Sequence, residues 1–448
     1  MQSPRFARLI GSLLLGWVTI SAFAGDTNSL PFIPDNYPKA LAEAQSRKLP
    51  LFVEAWAPWC HTCRSMAAYV FPDPALAPYA AKFVWAAIDT EKEANAGFRK
   101  DFVLEGYPSF FIVDPADGKI ALRWLGGATV EQLRRLLDDG LRTVAGKNDD
   151  RLRQLLAKAD GLYGAGRLEE SAAAYEETLR LAPKGWERYG RTVESLLFAL
   201  QSTNRFAQAV ETALASYPQL RHSTSALNVV AVGLDCALSL PKEHARRTDA
   251  TATLEQHARE TMDDPKVVAT SDDRSGLYLT MIAARESAGD QPAVKVLTAE
   301  WSAFLDRAAA QARSPEARAV FDSHRLSAYL KLGQPERAIP MLTASERELP
   351  GDYNPPARLA LAYKEMKQFD LALAAADRAL AKAYGPRQLV IYRTKADVQV
   401  AMGKLADAKQ TLQSAITRAT SLPEGQRNER TLAALQKKLK SLDKAAVP

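Results

Sequence analysis

Of the chain's 448 residues, 47% are hydrophobic and 25% are charged, which is typical of globular protein and excludes fibrous, collagen-like and largely disordered classes. The formal net charge is only +6, so nothing indicates nucleic-acid binding, and three cysteines are too few for a multi-disulfide scaffold. At about 100 to 200 residues per domain, the length predicts two to four domains.

Residues 1–24 have the layout of a secretory signal peptide. Arg5 and Arg8 precede an apolar run, and the segment ends in the small-x-small pattern Ala22-Phe23-Ala24. The run is shorter than the roughly 18 to 20 residues that cross a bilayer as a stable helix. We therefore expect cleavage after Ala24, no stable membrane insertion afterwards, and an exported protein, periplasmic or secreted. An uncleaved anchor is the alternative.

After a linker at 25–38, residues 39–146 alternate between strand-like and helix-like segments. Short apolar runs favour buried strands, and Pro, Asp and Gly between two of them favour a hairpin. A helix capped by Thr129 follows. This order predicts an α/β domain with a central sheet flanked by helices. The predicted strands are Leu49–Ala57, Phe83–Ile88, Ser109–Val113 and Ile120–Trp124.

Cys60 and Cys63 lie three residues apart, directly after the first predicted strand and at the start of a helix. Unpaired N–H groups at a helix start favour an anion, so we expect the Cys60 thiolate to be stabilised. His61 acts in the same direction when it is protonated. Cys63 lies one turn further, within the distance that a disulfide accepts. The pair can therefore attack a partner disulfide and then release it.

Residues 147–448 are rich in Ala, Leu, Arg and Glu at helical spacing. One pattern recurs, in which a turn residue is followed five positions later by a small residue. The small residues are Ala338, Ala372 and Ala408, and the spacings between them are 34 and 36 residues. Ser171 marks an earlier copy with the same pattern. This part resembles tetratricopeptide (TPR) repeats, which implies a helical solenoid whose groove binds a peptide or protein. A final amphipathic helix at 431–442 is suited to cap it.

Residues 39–144 resemble a thioredoxin domain, in the order of strand, Trp-Cys-x-x-Cys, helix, x-Pro loop and hairpin. The resemblance implies that Cys60 is the nucleophile and Cys63 the resolving cysteine. It places the family's buried acid, which helps to deprotonate the resolving thiol, at Glu54, where thioredoxin has aspartate. It also places a cis-proline at Pro108.

The same resemblance identifies a substrate-binding surface around the dithiol, formed by Trp59, His61, Tyr107 and Pro108. His61 and Thr62 stand where thioredoxin has Gly-Pro. Because a cation beside Cys60 stabilises the reduced form, we expect a reduction potential above that of thioredoxin.

These features predict an exported thiol–disulfide oxidoreductase. Its partners would be proteins with disulfides or dithiols, a thiol protein that donates or accepts electrons, and a ligand of the TPR groove. We expect no metal and no cofactor beyond the redox-active cysteine pair. Three alternatives remain: an envelope scaffold with a vestigial dithiol, a structural disulfide, or half of a zinc site. Cys236 is interpreted as a buried thiol.

Overall fold

The computed structural model describes residues 30–146 and 150–445. The predicted signal peptide, residues 1–24, lies outside the described residues. Within the described residues, no helix combines the length and the apolar character needed to span a membrane.

The N-terminal part is built on one five-stranded sheet. Its strand order is β1-β3-β2-β4-β5, with β2 parallel to β3 and antiparallel to β4. This mixed order places β2 at the centre, which explains its continuous run of buried residues. The strands are β1 (Phe32–Pro34), β2 (Leu51–Trp56), β3 (Val84–Asp89), β4 (Ser109–Val113) and β5 (Ile120–Leu125).

Helices cover the sheet, and its core is aromatic. Phe52, Trp85 and Phe110 are fully buried, and the ring of Phe52 contacts both of the others. Such pairs add to the stability that burial alone provides. The helices of this part are α1 (Tyr37–Arg47), α2 (His61–Ser65), α3 (Phe98–Asp101) and α4 (Val130–Val144).

Two local features of these helices matter for the site. α2 continues into a wider π-helical turn, Met66–Val70, so the helix after the cysteines is longer than α2 alone. Thr129 caps α4 through a capping box with Gln132, as the sequence predicts.

The rest of the chain is helical. Consecutive helices joined by short turns pack against each other as hairpins. They are α5 (Arg151–Gly164), α6 (Leu168–Leu181), α7 (Tyr189–Ser202), α8 (Phe206–Leu220), α9 (Ser225–Ser239), α10 (Arg247–Asp263), α11 (Ser271–Ser287), α12 (Gln291–Gln311), α13 (Pro315–Ala319), α14 (Asp322–Lys331), α15 (Ala338–Glu348), α16 (Asn354–Glu365), α17 (Phe369–Lys382), α18 (Arg387–Ala401), α19 (Leu405–Ser421) and α20 (Glu429–Ala445).

The small residues that define the repeat lie at the contacts between helices. Ser171, Ala338, Ala372 and Ala408 have no exposed surface. The final helix α20 packs Leu435 and other leucines against the last repeat, in the capping position that the sequence predicts. The predicted fold class, an α/β domain followed by a helical repeat domain, is therefore confirmed.

Sequence reasoning missed the first strand. β1 lies within the segment interpreted as a linker, and it pairs in parallel with β3 at the edge of the sheet. Its three residues are too short for a period-2 pattern to be visible. The ring of Phe32 packs against Phe52 and Trp85, so this segment belongs to the core.

Candidate active site

The two cysteines lie where the central strand passes into a helix. After β2 ends at Trp56, the N–H of Cys60 donates to the carbonyl of Ala57 at 3.0 Å, which closes a tight turn. Cys60 is the N-cap of α2, and its Sγ accepts from the N–H of Cys63 at 3.0 Å. The Cα atoms of Cys60 and Cys63 are 5.3 Å apart, and the two residues form a disulfide.

The two sulfurs face different cavities. Cys60 lines a pocket of about 400 Å³ that is bounded by residues 59–62 and by the 104–107 loop. Cys63 instead lines a separate cavity of about 410 Å³ behind the helix. Only 5% of Cys60 and 2% of Cys63 is exposed. The two cysteines therefore have different surroundings, and the pocket beside Cys60 is bounded by Trp59, His61 and Tyr107 of the predicted substrate-binding surface.

Glu54 lies on the far side of the cysteines from that pocket. It is buried in β2 and shares the second cavity with Cys63, beside apolar residues such as Phe32 and Phe71. Among the described residues, none forms a hydrogen bond or ion pair with its carboxylate. Burial raises the pKa of Glu54 to about 8. The group can therefore exchange a proton near neutral pH on the side of the resolving cysteine.

The predicted substrate surface surrounds the pocket. The rings of Trp59 and Tyr107 meet edge to face at 5.5 Å, and the Tyr107 hydroxyl accepts from Thr90 at 2.8 Å. The Tyr107–Pro108 peptide bond is cis, the geometry that the resemblance implies. Pro108 directly precedes β4, whose first residue pairs with Ala55 near the end of β2. This register places the loop beside the cysteine motif.

Both residues between the cysteines bind a single carboxylate from the helical domain. His61 Nδ1 donates to Asp272 Oδ1 at 2.6 Å, and Thr62 Oγ1 donates to Asp272 Oδ2 at 2.8 Å. The His61 ring also lies 3.9 Å from the ring of His324, and His324 Nδ1 hydrogen-bonds Ser275 at 2.7 Å. Sequence reasoning missed these contacts because the partners lie more than 200 residues away.

His61, Asp272 and His324 offer three possible metal ligands within 4.8 Å of one another. Two ligands of one tetrahedral zinc ion, each about 2.0 Å from the metal, lie about 3.3 Å apart. The 2.6 Å separation of His61 and Asp272 is instead the length of a charge-assisted hydrogen bond. The cluster is therefore best described as a hydrogen-bonded group.

Further contacts attach the helical domain around the motif. Arg64 forms an ion pair with Asp352 and donates to the carbonyl of Pro58 at 2.8 Å. Asn354 donates to the same carbonyl at 3.1 Å, and the guanidinium of Arg387 lies 5.5 Å from the Trp59 ring. The loop that carries the cysteines is thus held from both domains.

The third cysteine is remote from this chemistry. Cys236 lies in α9 with no exposed surface, as the sequence predicts, and is not disulfide-bonded. Burial and the charge of Asp235 raise the pKa of its thiol to about 12. A thiol that remains protonated at neutral pH is a poor nucleophile.

The comparisons with known proteins agree with this geometry. Residues 33–115 match a family model described as thioredoxin-like. The thiol:disulfide interchange protein DsbD of Pseudoalteromonas atlantica is 31% identical over 121 aligned residues, which cover 24% of this chain and 20% of that protein. The chloroplastic thioredoxin-like protein CITRX of Arabidopsis thaliana is 28% identical over 93 residues, which cover 21% of this chain and 49% of that protein. The matches thus span a fifth to a half of these relatives.

Two of the solved structures that are similar to this chain contain TPR domains. A tetratricopeptide repeat protein from Parabacteroides merdae is 11% identical, with a TM-score of 0.44, and covers 64% of this chain and 98% of its own. The TPR2AB domain of yeast Sti1, solved with pHSP90, is 15% identical with a TM-score of 0.24 over the same shares. The chain therefore carries a thioredoxin-like domain with a close cysteine pair, and a long helical domain follows it.

Proposed function

We propose that the protein is an exported thiol–disulfide oxidoreductase that acts on protein thiols. The observation that carries this proposal is the division of the cysteine pair between two cavities. Cys60 faces a pocket bounded by Trp59 and Tyr107, and Cys63 faces a buried acid, Glu54. A nucleophile and a resolving thiol need these two different surroundings.

The reaction follows from this arrangement. In the reduced protein, the Cys60 thiolate attacks one sulfur of a substrate disulfide, and the other substrate sulfur leaves as a thiolate. The Cys63 thiol loses its proton to the Glu54 carboxylate and attacks the Cys60 sulfur of the mixed disulfide. The first substrate sulfur then leaves as a thiolate. Two electrons have moved to the substrate, and the protein holds the Cys60–Cys63 disulfide.

The return to the dithiol requires a second thiol protein as reductant, and every step is reversible. Whether the protein reduces or oxidises its clients therefore depends on the potential of that partner. The predicted signal peptide supports an exported location, in a compartment where disulfides persist. The helical domain would select the partners, since TPR-type domains commonly present binding surfaces for proteins.

Substitution of each cysteine tests the proposal. In an insulin-reduction assay coupled to a chemical reductant, Cys60→Ser should lose activity to the uncatalysed rate. Cys63→Ser should instead accumulate mixed disulfides between Cys60 and its clients, because the resolving step is lost. Cys236→Ala is the matched control and should retain activity, since Cys236 lies in the helical domain.

A second candidate function has one observation in its favour. Because only 5% of Cys60 is exposed, a structural disulfide in an envelope scaffold is a rival explanation. A reduction potential below about −300 mV, together with unchanged insulin reduction in Cys60→Ser, would support the scaffold and contradict the enzyme.

A further inference from the structure

Asp272 of the helical domain is the common acceptor for the two residues between the cysteines. One carboxylate oxygen binds His61 at 2.6 Å, and the other binds Thr62 at 2.8 Å. The side chain of Asp272 is 2% exposed, so the carboxylate itself is shielded from water. A single group from α11 thus fixes the conformation of the segment that links Cys60 to Cys63.

The start of α11 explains why Asp272 is free for this contact. Thr270 and the neighbouring Asp273 form the capping box of the helix, with the Asp273 carboxylate accepting from the Thr270 N–H at 3.0 Å. Asp272 is therefore not needed as a cap, and its position in the first turn points the carboxylate toward α2. A carboxylate in the first turn is also favoured by the helix dipole.

Asp272 carries a negative charge at neutral pH. Burial alone would raise its pKa, but the neighbouring His61 and the Thr62 hydrogen bond outweigh burial, and the pKa is lowered. Burial and the neighbouring His61 lower the pKa of His324 to about 3, so His324 contributes no positive charge to balance it. His61 is then the hydrogen-bond donor nearest to the carboxylate, at 2.6 Å.

The negative charge of Asp272 changes the stability of only one redox state of the cysteine pair. The reduced protein carries the Cys60 thiolate, whereas the disulfide carries no charge. Asp272 repels the thiolate, and it offsets the positive charge of the His61 ring when that ring is protonated. Both effects favour the disulfide, which makes the dithiol a stronger reductant.

We propose that Asp272 is a positioning residue of the cysteine motif, through which the helical domain lowers the reduction potential of the Cys60–Cys63 pair. This inference rests on the proposed function, because it requires the pair to exchange with other thiols. The motif alone predicts a reduction potential above that of thioredoxin, because it contains His61. Asp272, which the motif does not contain, acts on the potential in the opposite direction.

Equilibration with glutathione tests the inference. Two glutathione molecules reduce the protein disulfide to the dithiol, and one glutathione disulfide forms. In Asp272→Asn, which keeps the shape of the side chain and removes its charge, the equilibrium constant should shift about tenfold toward the dithiol. This corresponds to a potential about 30 mV higher. Alkylation of the reduced protein at several pH values should also show a lower pKa for Cys60.

A double substitution separates the charge of Asp272 from proton exchange on the imidazole. In a His61→Gln background, the imidazole that binds Asp272 is absent and cannot gain or lose a proton in response. The double variant, His61→Gln with Asp272→Asn, should still have an equilibrium constant about tenfold further toward the dithiol than His61→Gln alone.

Two control variants separate this effect from loosened contact between the domains. Tyr69→Phe removes an uncharged hydrogen bond from the Tyr69 hydroxyl to the carbonyl of Ala317, 3.0 Å long, between the same two domains. Asp264→Asn removes another carboxylate that is paired with a histidine, His222, within the helical domain. Both should leave the constant within about twofold of the wild-type value.

Each result decides the matter. The inference is overturned if Asp272→Asn changes the glutathione equilibrium constant by less than twofold both in the wild-type protein and in the His61→Gln variant. It is also overturned if Tyr69→Phe shifts the constant as much as Asp272→Asn does, because the effect would then come from contact between the domains. If the wild-type pair does not exchange with glutathione at all, the proposed function fails first and the inference fails with it.

Discussion

At the scale of single residues, Glu54 is the least expected group in the structure. A carboxyl group at the centre of an apolar sheet, 6% exposed, is costly to ionise, and its raised pKa reflects that cost. The sequence allowed Glu54 to be matched to the family's buried acid. It did not reveal the cavity shared with Cys63, because that cavity also depends on Phe32 in the missed strand β1.

Glu54 should make the stability of the protein fall as pH rises. Its pKa is about 8 in the folded state against an ordinary value of 4.5, so the folded state retains a proton that the unfolded chain loses. The stabilisation is therefore complete below about pH 4.5 and is lost as pH rises through 8. Between pH 5 and pH 8, the free energy of unfolding should therefore fall by about 3 kcal/mol less in Glu54→Gln than in the wild type. Urea unfolding at the two pH values measures this difference.

A carboxylate with the opposite shift provides the control. The ion pair with Arg378 lowers the pKa of Glu346, so this group is ionised in both states at both pH values. Glu346→Gln should therefore change the free energy of unfolding by a similar amount at pH 5 and pH 8. Parallel pH profiles for wild type and Glu54→Gln would contradict the raised pKa.

At the scale of the helical elements, a residue with a left-handed backbone lies at the turn within several of the helix pairs and marks the repeat. Gly333 and Gly403, which the sequence pattern identified, have φ values of 68° and 75°. Asn204 and Gly289 have the same conformation, with φ values of 58° and 73°, and each precedes a buried small or apolar residue by five positions. They mark repeats between Ser171 and Ala338, where the residue pattern of the sequence identified no copy.

Those repeats were hard to recognise for a physical reason. The backbone requires a positive φ, which glycine provides most easily but asparagine also tolerates. The position five residues later must be small enough or apolar enough to pack, and Val294 satisfies this as well as alanine does. A strict residue pattern therefore detects the ideal copies and misses those that meet the same constraint with other residues.

Lys367 provides a test at this scale. It occupies the turn position of its repeat with a φ of 58°, where a side chain with a Cβ is strained, and it is exposed. Lys367→Gly should raise the free energy of unfolding by about 0.5 to 1 kcal/mol, because the relief of strain exceeds the entropy that glycine gains when unfolded. Chemical denaturation measures this change.

The same substitution within a helix should have the opposite sign. Lys437 is an exposed residue in the middle of α20, where glycine is about 1 kcal/mol less favourable than a good helix former. Lys437→Gly should therefore destabilise the protein. A loss of stability in both variants would show that Lys367 is not strained in solution.

At the scale of the whole molecule, the helical domain encloses the thioredoxin-like domain. Segments from α5 to the turn at 424–426 contact it, and α5 packs against β5. Arg188 of the α6–α7 connection binds Asp139 at 2.6 Å, Asp272 binds the cysteine motif, and Arg418 pairs with Glu93. The sequence predicted a groove for partners but not that this chain's own domain would lie against these helices. The contacts join residues up to 336 positions apart, and no local pattern encodes such pairs.

Gly385 lies at a point in this interface where the two backbones meet. A Cβ on Gly385 would overlap the carbonyl oxygen of Glu91, and its φ is 57°. A Cβ on Gly403 would meet no atom within 4 Å, although its φ of 75° is also left-handed. Gly385→Ala and Gly403→Ala therefore share the strain of the turn, about 1 kcal/mol, and differ only in the contact with the other domain.

The pair of variants measures what the docked arrangement contributes. Gly403→Ala should lower the free energy of unfolding by about 1 kcal/mol, and Gly385→Ala by about 3 kcal/mol, because the backbone at Glu91 cannot move aside as a flexible side chain can. In the reduced protein, Cys60 should also be alkylated faster in Gly385→Ala, since Arg387 follows this turn and covers Trp59. Equal losses of stability in the two variants would show that the domains are not held together at this point in solution.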